Sequence, residues 1–149
     1  MSITPNLGLA LPSHGSTNWD LPLNGNFTIL DGVVGGNVIP RTINYSVLAN
    51  NSGAFFTNTG AVGEVDFILP ISPTSGLKFS FCVDALFLVK VIATGGAKIR
   101  YLNIASGVNG NIASSSQGNI VSIICIGVSS TDSVIEWLVS SMTGAWVIT

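Results

Sequence analysis

The sequence predicts an all-β protein: an antiparallel β-sandwich or barrel, jelly-roll-like, preceded by an extended N-terminal arm with one short helix. Three observations lead to this fold class. Strand-like runs recur roughly every eight to twelve residues from residue 41 onward, with turn residues between them. No amphipathic helical pattern separates these runs, which favours antiparallel pairing over βαβ units. The first 40 residues lack this alternation and contain four of the six prolines.

The arm is predicted to span residues 1–40, and the β domain residues 41–149. One helix is expected in the arm, from about residue 22 to residue 34, because its apolar residues share one helical face. Pro22 suits a first helical turn, and Gly35 with Gly36 ends the helix. The arm has too few apolar residues for a core of its own, so it needs another surface for burial. The predicted partner-binding residues are Leu7, Leu9, Trp19, Leu23, Phe27 and Leu30.

In the β domain, apolar residues mostly alternate with polar ones. Val65, Phe67 and Leu69 are predicted to point to one face, and Glu64 and Asp66 to the other. The run 86–93 is almost continuously apolar, which is typical of a buried strand. Strands are expected at about 43–47, 55–57, 64–69, 78–83, 86–93, 99–104, 111–115, 119–128, 134–139 and 146–148.

The charged fraction is the most informative part of the composition. Only 12 of 149 residues are Lys, Arg, Asp or Glu, or 8%, against about 25% in an ordinary soluble domain. Mean hydropathy is +0.60. The surface of so weakly charged a protein is either coated with Ser, Thr, Asn and Gly or covered by other chains. Depletion of charge is typical of interface cores. We therefore expect an assembly, with a neutral monomer as the alternative.

Several classes of partner are unexpected. The net charge is −2 and the five basic residues are scattered, so neither nucleic acid nor an anionic membrane is an expected partner. The N-terminal sequence lacks the features of a signal peptide, and no apolar run reaches the ~20 residues of a membrane span, so synthesis in a cytoplasm is expected. Cys82 and Cys125 lie in apolar runs and are predicted to be buried free thiols. A disulfide would require their Cα atoms to lie within about 7 Å.

Catalytic residues are sparse. The single histidine, His14, lies in the Pro/Gly-rich arm and is expected to be an exposed loop residue. Glu64 and Asp66 share a strand face, as a glycosidase pair would, but they also fit the solvent side of an alternating strand. Lys98 and Arg100 share a face too, either as surface charges or as partners for acids of a neighbouring chain. We expect no enzyme, no cofactor and no metal site.

The arm resembles the N-terminal segment of many bacteriophage fibre and virion-surface proteins. The residues that carry this resemblance are Thr4-Pro5-Asn6-Leu7-Gly8-Leu9, Pro12, Gly15, Asn18-Trp19, Leu23-Asn24-x-Asn26-Phe27-x-x-Leu30-Asp31 and Gly35-Gly36. A second segment resembles a small β domain of the same setting: Phe56-Thr57-Asn58-Thr59-Gly60-Ala61-x-Gly63-x-Val65-x-Phe67-x-Leu69-Pro70, with Trp137 and Thr143-Gly144-x-Trp146 near the end.

The resemblance implies a structural protein of the phage virion, commonly homotrimeric, whose arm attaches it to capsid or tail proteins. The chain has neither the long stalk nor the distal tip of a tail fibre, which favours a capsid decoration (cement) protein. The alternative is a head-fibre or tail-fibre component that binds a host receptor. In that case residues 106–118 and 129–133 would contact a host glycan or protein, although they contain no aromatic residue.

Overall fold

The computed structural model describes residues 2–3, 10–11, 17–18, 20–34 and 37–149. Within them, helix α1 spans Asp20–Val34 and the 3-10 helix η1 spans Ala49–Asn51. The strands are β1 (Ser2–Ile3), β2 (Ala10–Leu11), β3 (Val38–Pro40), β4 (Tyr45–Ser46), β5 (Phe55–Thr57), β6 (Val65–Ile68), β7 (Lys78–Cys82), β8 (Val89–Ile92), β9 (Lys98–Tyr101), β10 (Ile104–Ala105), β11 (Asn111–Ser114), β12 (Ile120–Val128), β13 (Ile135–Thr143) and β14 (Val147–Ile148).

The strands form two main sheets. The seven-stranded sheet has the order β10-β9-β13-β12-β7-β5-β3, and the five-stranded sheet has the order β14-β11-β8-β6-β4. A third, two-stranded sheet consists of β1 and β2, which pair antiparallel near the N-terminus. The described structure is thus mainly β with one short N-terminal helix, which confirms that part of the prediction.

The prediction of purely antiparallel strands is wrong. From β3 to β8, consecutive strands alternate between the two main sheets. Each strand therefore pairs with the strand two positions earlier or later in the chain. These neighbours run parallel: β3 with β5, β5 with β7, β4 with β6 and β6 with β8. The pairing of β9 with β13 is parallel as well. A jelly roll is built from antiparallel strands, so these pairings depart from the predicted jelly-roll-like arrangement.

One hydrophobic core lies between the two main sheets. Phe56 of the seven-stranded sheet contacts Phe67 of the five-stranded sheet, with ring centroids 5.4 Å apart, and stacks on Phe81 at 5.4 Å. Phe79 contacts the fully buried Trp137 at 5.8 Å. Each buried side chain of this size contributes about 1.5–3 kcal/mol, so this aromatic cluster holds the sheets face to face.

The predicted faces of individual strands are confirmed. Val65, Phe67 and Leu69 are buried, whereas Glu64 is exposed and Asp66 half-buried. The apolar run 86–93 is different, because its strand begins only at Val89, and Leu86 is 74% exposed. Leu86 instead lies in a loop, residues 84–87, which is held by hydrogen bonds to the Asn58 side chain. None of the described helices is long and apolar enough to cross a membrane.

Candidate interaction surfaces

Leu23 and Phe27 form an exposed apolar patch on α1, which we call its outward face. They lie one turn apart on the same side of the helix, and Phe27 is 60% and Leu23 38% exposed. Leu30 is half-buried. Of the six predicted partner-binding residues, the structure therefore brings Leu23, Phe27 and Leu30 onto α1. Leu7, Leu9 and Trp19 lie outside the described residues.

Another side of α1 faces the β domain across a cleft. A cleft of about 180 Å³ separates the helix from the turn around η1, and its lining consists of Thr28, Ile29, Asn37, Asn50, Asn51, Ser52 and Ala54. The helix is also joined to β2: the Asn26 side chain accepts a hydrogen bond from the Ala10 amide at 2.7 Å and donates one to its carbonyl oxygen at 2.9 Å. These hydrogen bonds join α1 to β2, and Leu23 and Phe27 remain exposed.

Four charged residues form a cluster at one margin of the seven-stranded sheet. The parallel register places Glu136 opposite Lys98, and the Glu136 carboxylate accepts hydrogen bonds from Arg100 Nε at 2.7 Å and Nη2 at 3.3 Å. Lys98 forms an ion pair with Asp132 and lies 3.8 Å from Glu136. Glu136 is only 3% exposed, so these partners compensate its lost hydration. Lys98 and Arg100 thus pair with acids of their own chain.

A second cluster lies on the outer face of the five-stranded sheet. Lys90 forms an ion pair with Glu64, and its strand position pairs with that of Asp66. The hydrogen bond from Lys90 lowers the pKa of Glu64 below its ordinary value. Partial burial, followed by the charge of Glu64, raises the pKa of Asp66. Seven of the twelve charged residues therefore lie in two internally paired clusters, which leaves the rest of the surface still poorer in charge.

The described residues offer little catalytic chemistry. Glu64 and Asp66 do share the outward side of their strand, but Lys90 neutralises Glu64 and Asn44 donates a hydrogen bond to Asp66 at 3.2 Å. No group of three or more His, Cys, Asp or Glu side chains in this part of the chain is arranged to hold a metal ion. His14 lies outside the described residues.

The outer face of the seven-stranded sheet is broad and almost free of charge. We call it the outer sheet face and define it by three rows of paired residues: Val38, Phe55, Ser80, Ser122 and Ser141; Pro40, Thr57, Cys82, Ile120 and Thr143; and Lys78, Ile124, Leu138 and Arg100. The Oγ atoms of Ser80 and Ser122 are 2.8 Å apart, and Ser140 Oγ donates to the Ser122 carbonyl oxygen at 3.1 Å. A shallow cleft of about 380 Å³ follows these serines.

Two loops predicted as receptor contacts are partly structural. Residues 106–118 contain β11, an internal strand of the five-stranded sheet, as the sequence suggested. Ser106 is buried and its Oγ accepts a hydrogen bond from the Ile99 amide at 2.9 Å. Residues 129–131 border a cleft of about 390 Å³ that also contains the ion cluster of Lys98, Arg100 and Glu136.

Sequence reasoning missed the importance of two asparagines. Asn58 is fully buried; its Oδ1 accepts hydrogen bonds from the amides of Asp84 and Ala85 at 2.7 and 2.9 Å. Its Nδ2 donates to two carbonyl oxygens of the same loop. Asn119 likewise donates to the Ala145 carbonyl oxygen at 2.9 Å, next to Gly144 with φ of +79°. The available signal was a nearby glycine in each case, Asn58-Thr59-Gly60 and Gly118-Asn119, because a buried asparagine can replace backbone hydrogen bonds across a turn.

Both cysteines are free thiols, as predicted. Cys125 is buried in the core, and burial raises its pKa. Cys82 is half-buried on the outer sheet face, so the prediction of burial is only partly met there. Burial and the charge of Asp84 raise the pKa of Cys82, which makes it a weakly reactive thiol at neutral pH.

Comparison with known proteins gives no independent assignment of these surfaces: no protein-family model and no curated protein matches the chain.

Proposed function

We propose that the chain is a structural protein of a bacteriophage virion, a homotrimeric capsid decoration (cement) protein that binds the capsid through its N-terminal arm. The outward face of α1 carries this proposal. Leu23 and Phe27 are exposed one turn apart on the same side of this helix. An apolar helix face of this kind is a common way for one protein to dock into a groove of another.

The charge distribution supports an assembly rather than a solvated monomer. Most of the few charged side chains neutralise each other within the chain, so uncharged surface must be either hydrated by hydroxyl and amide groups or covered by protein. In a capsid decoration protein, neighbouring copies and the shell beneath them would both cover this uncharged surface.

The arm supplies the attachment in this proposal. Covering the exposed parts of Leu23 and Phe27 would contribute on the order of 1 kcal/mol each, and three arms per trimer would multiply the effect through avidity. Leu7, Leu9, Trp19 and Leu30 are the further contacts that the sequence nominates. No nucleic acid, membrane or cofactor takes part, and the site of action is the assembled virion after synthesis in the bacterial cytoplasm.

The test is binding to capsids of the corresponding phage prepared without this protein. We expect Leu23→Asp with Phe27→Asp to weaken capsid binding by at least one order of magnitude, because buried apolar contacts would be replaced by uncompensated charges. The matched control is Leu102→Asp, which places the same change on an exposed leucine of the β domain. Bound protein is measured by sedimentation with the capsids. Equal binding of both variants and the wild type would rule out the arm as the attachment.

The alternative function is receptor binding by a head-fibre or tail-fibre component. The 390 Å³ cleft beside residues 129–131 favours it, because hydroxyl groups and ion-paired side chains line this cleft as in polar-ligand sites. A glycan array tests it: a specific signal that Thr131→Ala abolishes would support receptor binding, and binding to capsids with no glycan signal would support decoration.

A further inference from the structure

Two sheet faces point away from the core, and only one of them is nearly free of charge across its centre. On the five-stranded sheet, Glu64, Asp66 and Lys90 occupy the outer surface. On the outer sheet face, the first two rows of paired residues contain no charge, and the third has Lys78 and Arg100 only at its two ends. We propose that the outer sheet face is the surface through which three copies of this chain contact each other around a threefold axis. This inference rests on the proposed homotrimer and specifies its interface.

Electrostatics favours a second copy as the occupant of this face. When copies of a charged surface are brought together around a symmetry axis, equivalent charges near the axis approach and repel each other. The centre of the outer sheet face avoids this problem because it consists of Ser, Thr, Cys, Ile and Leu side chains. The charged cluster at its margin is neutralised internally by the pairing of Arg100 with Glu136 and Lys98 with Asp132.

The dimensions of the face are adequate for a stable contact. Seven strands at a spacing of about 4.8 Å span roughly 30 Å, and nine residues of β12 or β13 extend over about 30 Å. The face therefore offers several hundred Å², the order of the ~800 Å² per partner of standard interfaces.

The side chains of the face suit close packing of sheets. Ile120, Ile124 and Leu138 are half-buried already and supply apolar area. Ser80 and Ser122 satisfy each other by a hydrogen bond, so covering them with another sheet leaves these hydroxyls partnered. Small serine side chains also allow a neighbouring sheet to approach to the usual ~10 Å.

The first experiment is molar-mass determination by light scattering over a range of concentrations. We expect the wild type at three times 15.4 kDa. Ser141→Lys should weaken trimer formation at least tenfold, because Ser141 is exposed on the first row of the face and the new ammonium group would be buried in the interface without a partner. Ser46→Lys is the matched control, since this serine is exposed on an edge strand of the other sheet, and it should leave the trimer unchanged.

The second measurement is the labelling rate of the Cys82 thiol, with the buried Cys125 as internal reference. We expect slow labelling in the wild-type trimer and a severalfold increase in Ser141→Lys, with Ser46→Lys remaining slow. A trimer that survives Ser141→Lys with Cys82 labelled rapidly in the wild type would overturn this interface and leave the proposed homotrimer standing. A monomeric wild type would overturn both this interface and the proposed homotrimer. Capsid binding through the arm is tested separately, by sedimentation of the Leu23→Asp, Phe27→Asp variant with capsids.

Discussion

Arg100 and Glu136 form a two-point ion pair across two parallel strands. The guanidinium donates Nε and Nη2 hydrogen bonds to the two carboxylate oxygens of a glutamate that is almost fully buried. Paired geometry of this type is among the stronger polar interactions in proteins. The pair also fixes the register of β9 beside β13, because both residues lie within the short segment where those strands contact each other.

Removal of the arginine should therefore destabilise the fold. We expect Arg100→Ala to lower the denaturation midpoint, because the nearly fully buried Glu136 carboxylate would lose its two-point partner. Lys90→Ala is the control and should lower the midpoint much less, since the Lys90–Glu64 pair is exposed to solvent. Guanidinium denaturation measures both. Equal losses in the two variants would contradict a special role for the buried pair.

The four hydrogen bonds of the Asn58 side chain hold the loop 84–87 against the turn that follows β5. Asn58→Ala should lower the free energy of unfolding by about 2–4 kcal/mol, because a buried cavity forms and two backbone amides lose their acceptor. Asn103 is exposed, and Asn103→Ala should change stability by less than about 0.5 kcal/mol. Hydrogen exchange at the amides of Asp84 and Ala85 provides a local readout, and unchanged protection there would contradict the assignment.

Gly25 and Gly144 should respond oppositely to alanine. Gly25 lies inside α1 with open space where the methyl group of an alanine would lie, so Gly25→Ala should stabilise the helix by about 0.5–1 kcal/mol. At Gly144, φ is +79° and a β-carbon would clash with Asn119 Oδ1, so Gly144→Ala should destabilise the domain by more than about 1 kcal/mol. Thermal denaturation followed by circular dichroism distinguishes the two, and a stabilised Gly144→Ala would be the contrary result.

Two aspartates should give opposite pH dependences. The hydrogen bond from Lys98 lowers the pKa of Asp132, so this carboxylate stabilises the fold above its ordinary pKa and loses that contribution as the pH falls below about 4. Burial raises the pKa of Asp66, so its ionisation opposes folding as the pH rises past its ordinary value. At pH 7 we expect Asp132→Asn to lower the denaturation midpoint and Asp66→Asn to raise it.

Both aspartate effects should shrink toward zero at about pH 3, where the two carboxyl groups are largely protonated in the unfolded state and increasingly so in the folded state. Denaturation midpoints of the wild type and both variants at about pH 3, 5 and 7 measure this. If both variants changed stability equally at all three pH values, the shifts would arise from packing and not from ionisation.

The alternating pattern of the sequence was sufficient to locate most strands but not to pair them. Val65, Phe67 and Leu69 reveal a strand with one buried face whether its neighbours are parallel or antiparallel. The parallel pairing arises because the chain crosses between sheets after each of the strands β3 to β7, a property of the connections rather than of any single strand. For the same reason, the opposition of Lys98 and Glu136 could not be anticipated.

In the arm, too, the sequence was sufficient to locate the element but not its contacts. The spacing of Leu23, Phe27 and Leu30 was sufficient to predict the helix, which begins two residues earlier than expected. Periodicity identifies an apolar face but does not say what covers it. Only the structure shows that Leu23 and Phe27 stay exposed, while Ile29 borders the cleft beside the η1 turn and Asn26 bonds to Ala10.

Because β3 to β8 alternate between the two sheets, the first half of the domain is built from successive windings of the chain that follow one another in one direction. Val38 pairs with Phe55 and Phe55 with Ser80, so successive windings of the chain comprise 17 and 25 residues. Each winding contributes one strand to each layer and contacts chiefly the windings before and after it, as in solenoid proteins. Duplication or loss of one whole winding would lengthen or shorten the domain without exchanging the partners of the remaining strands, which offers a simple evolutionary route to taller or shorter relatives.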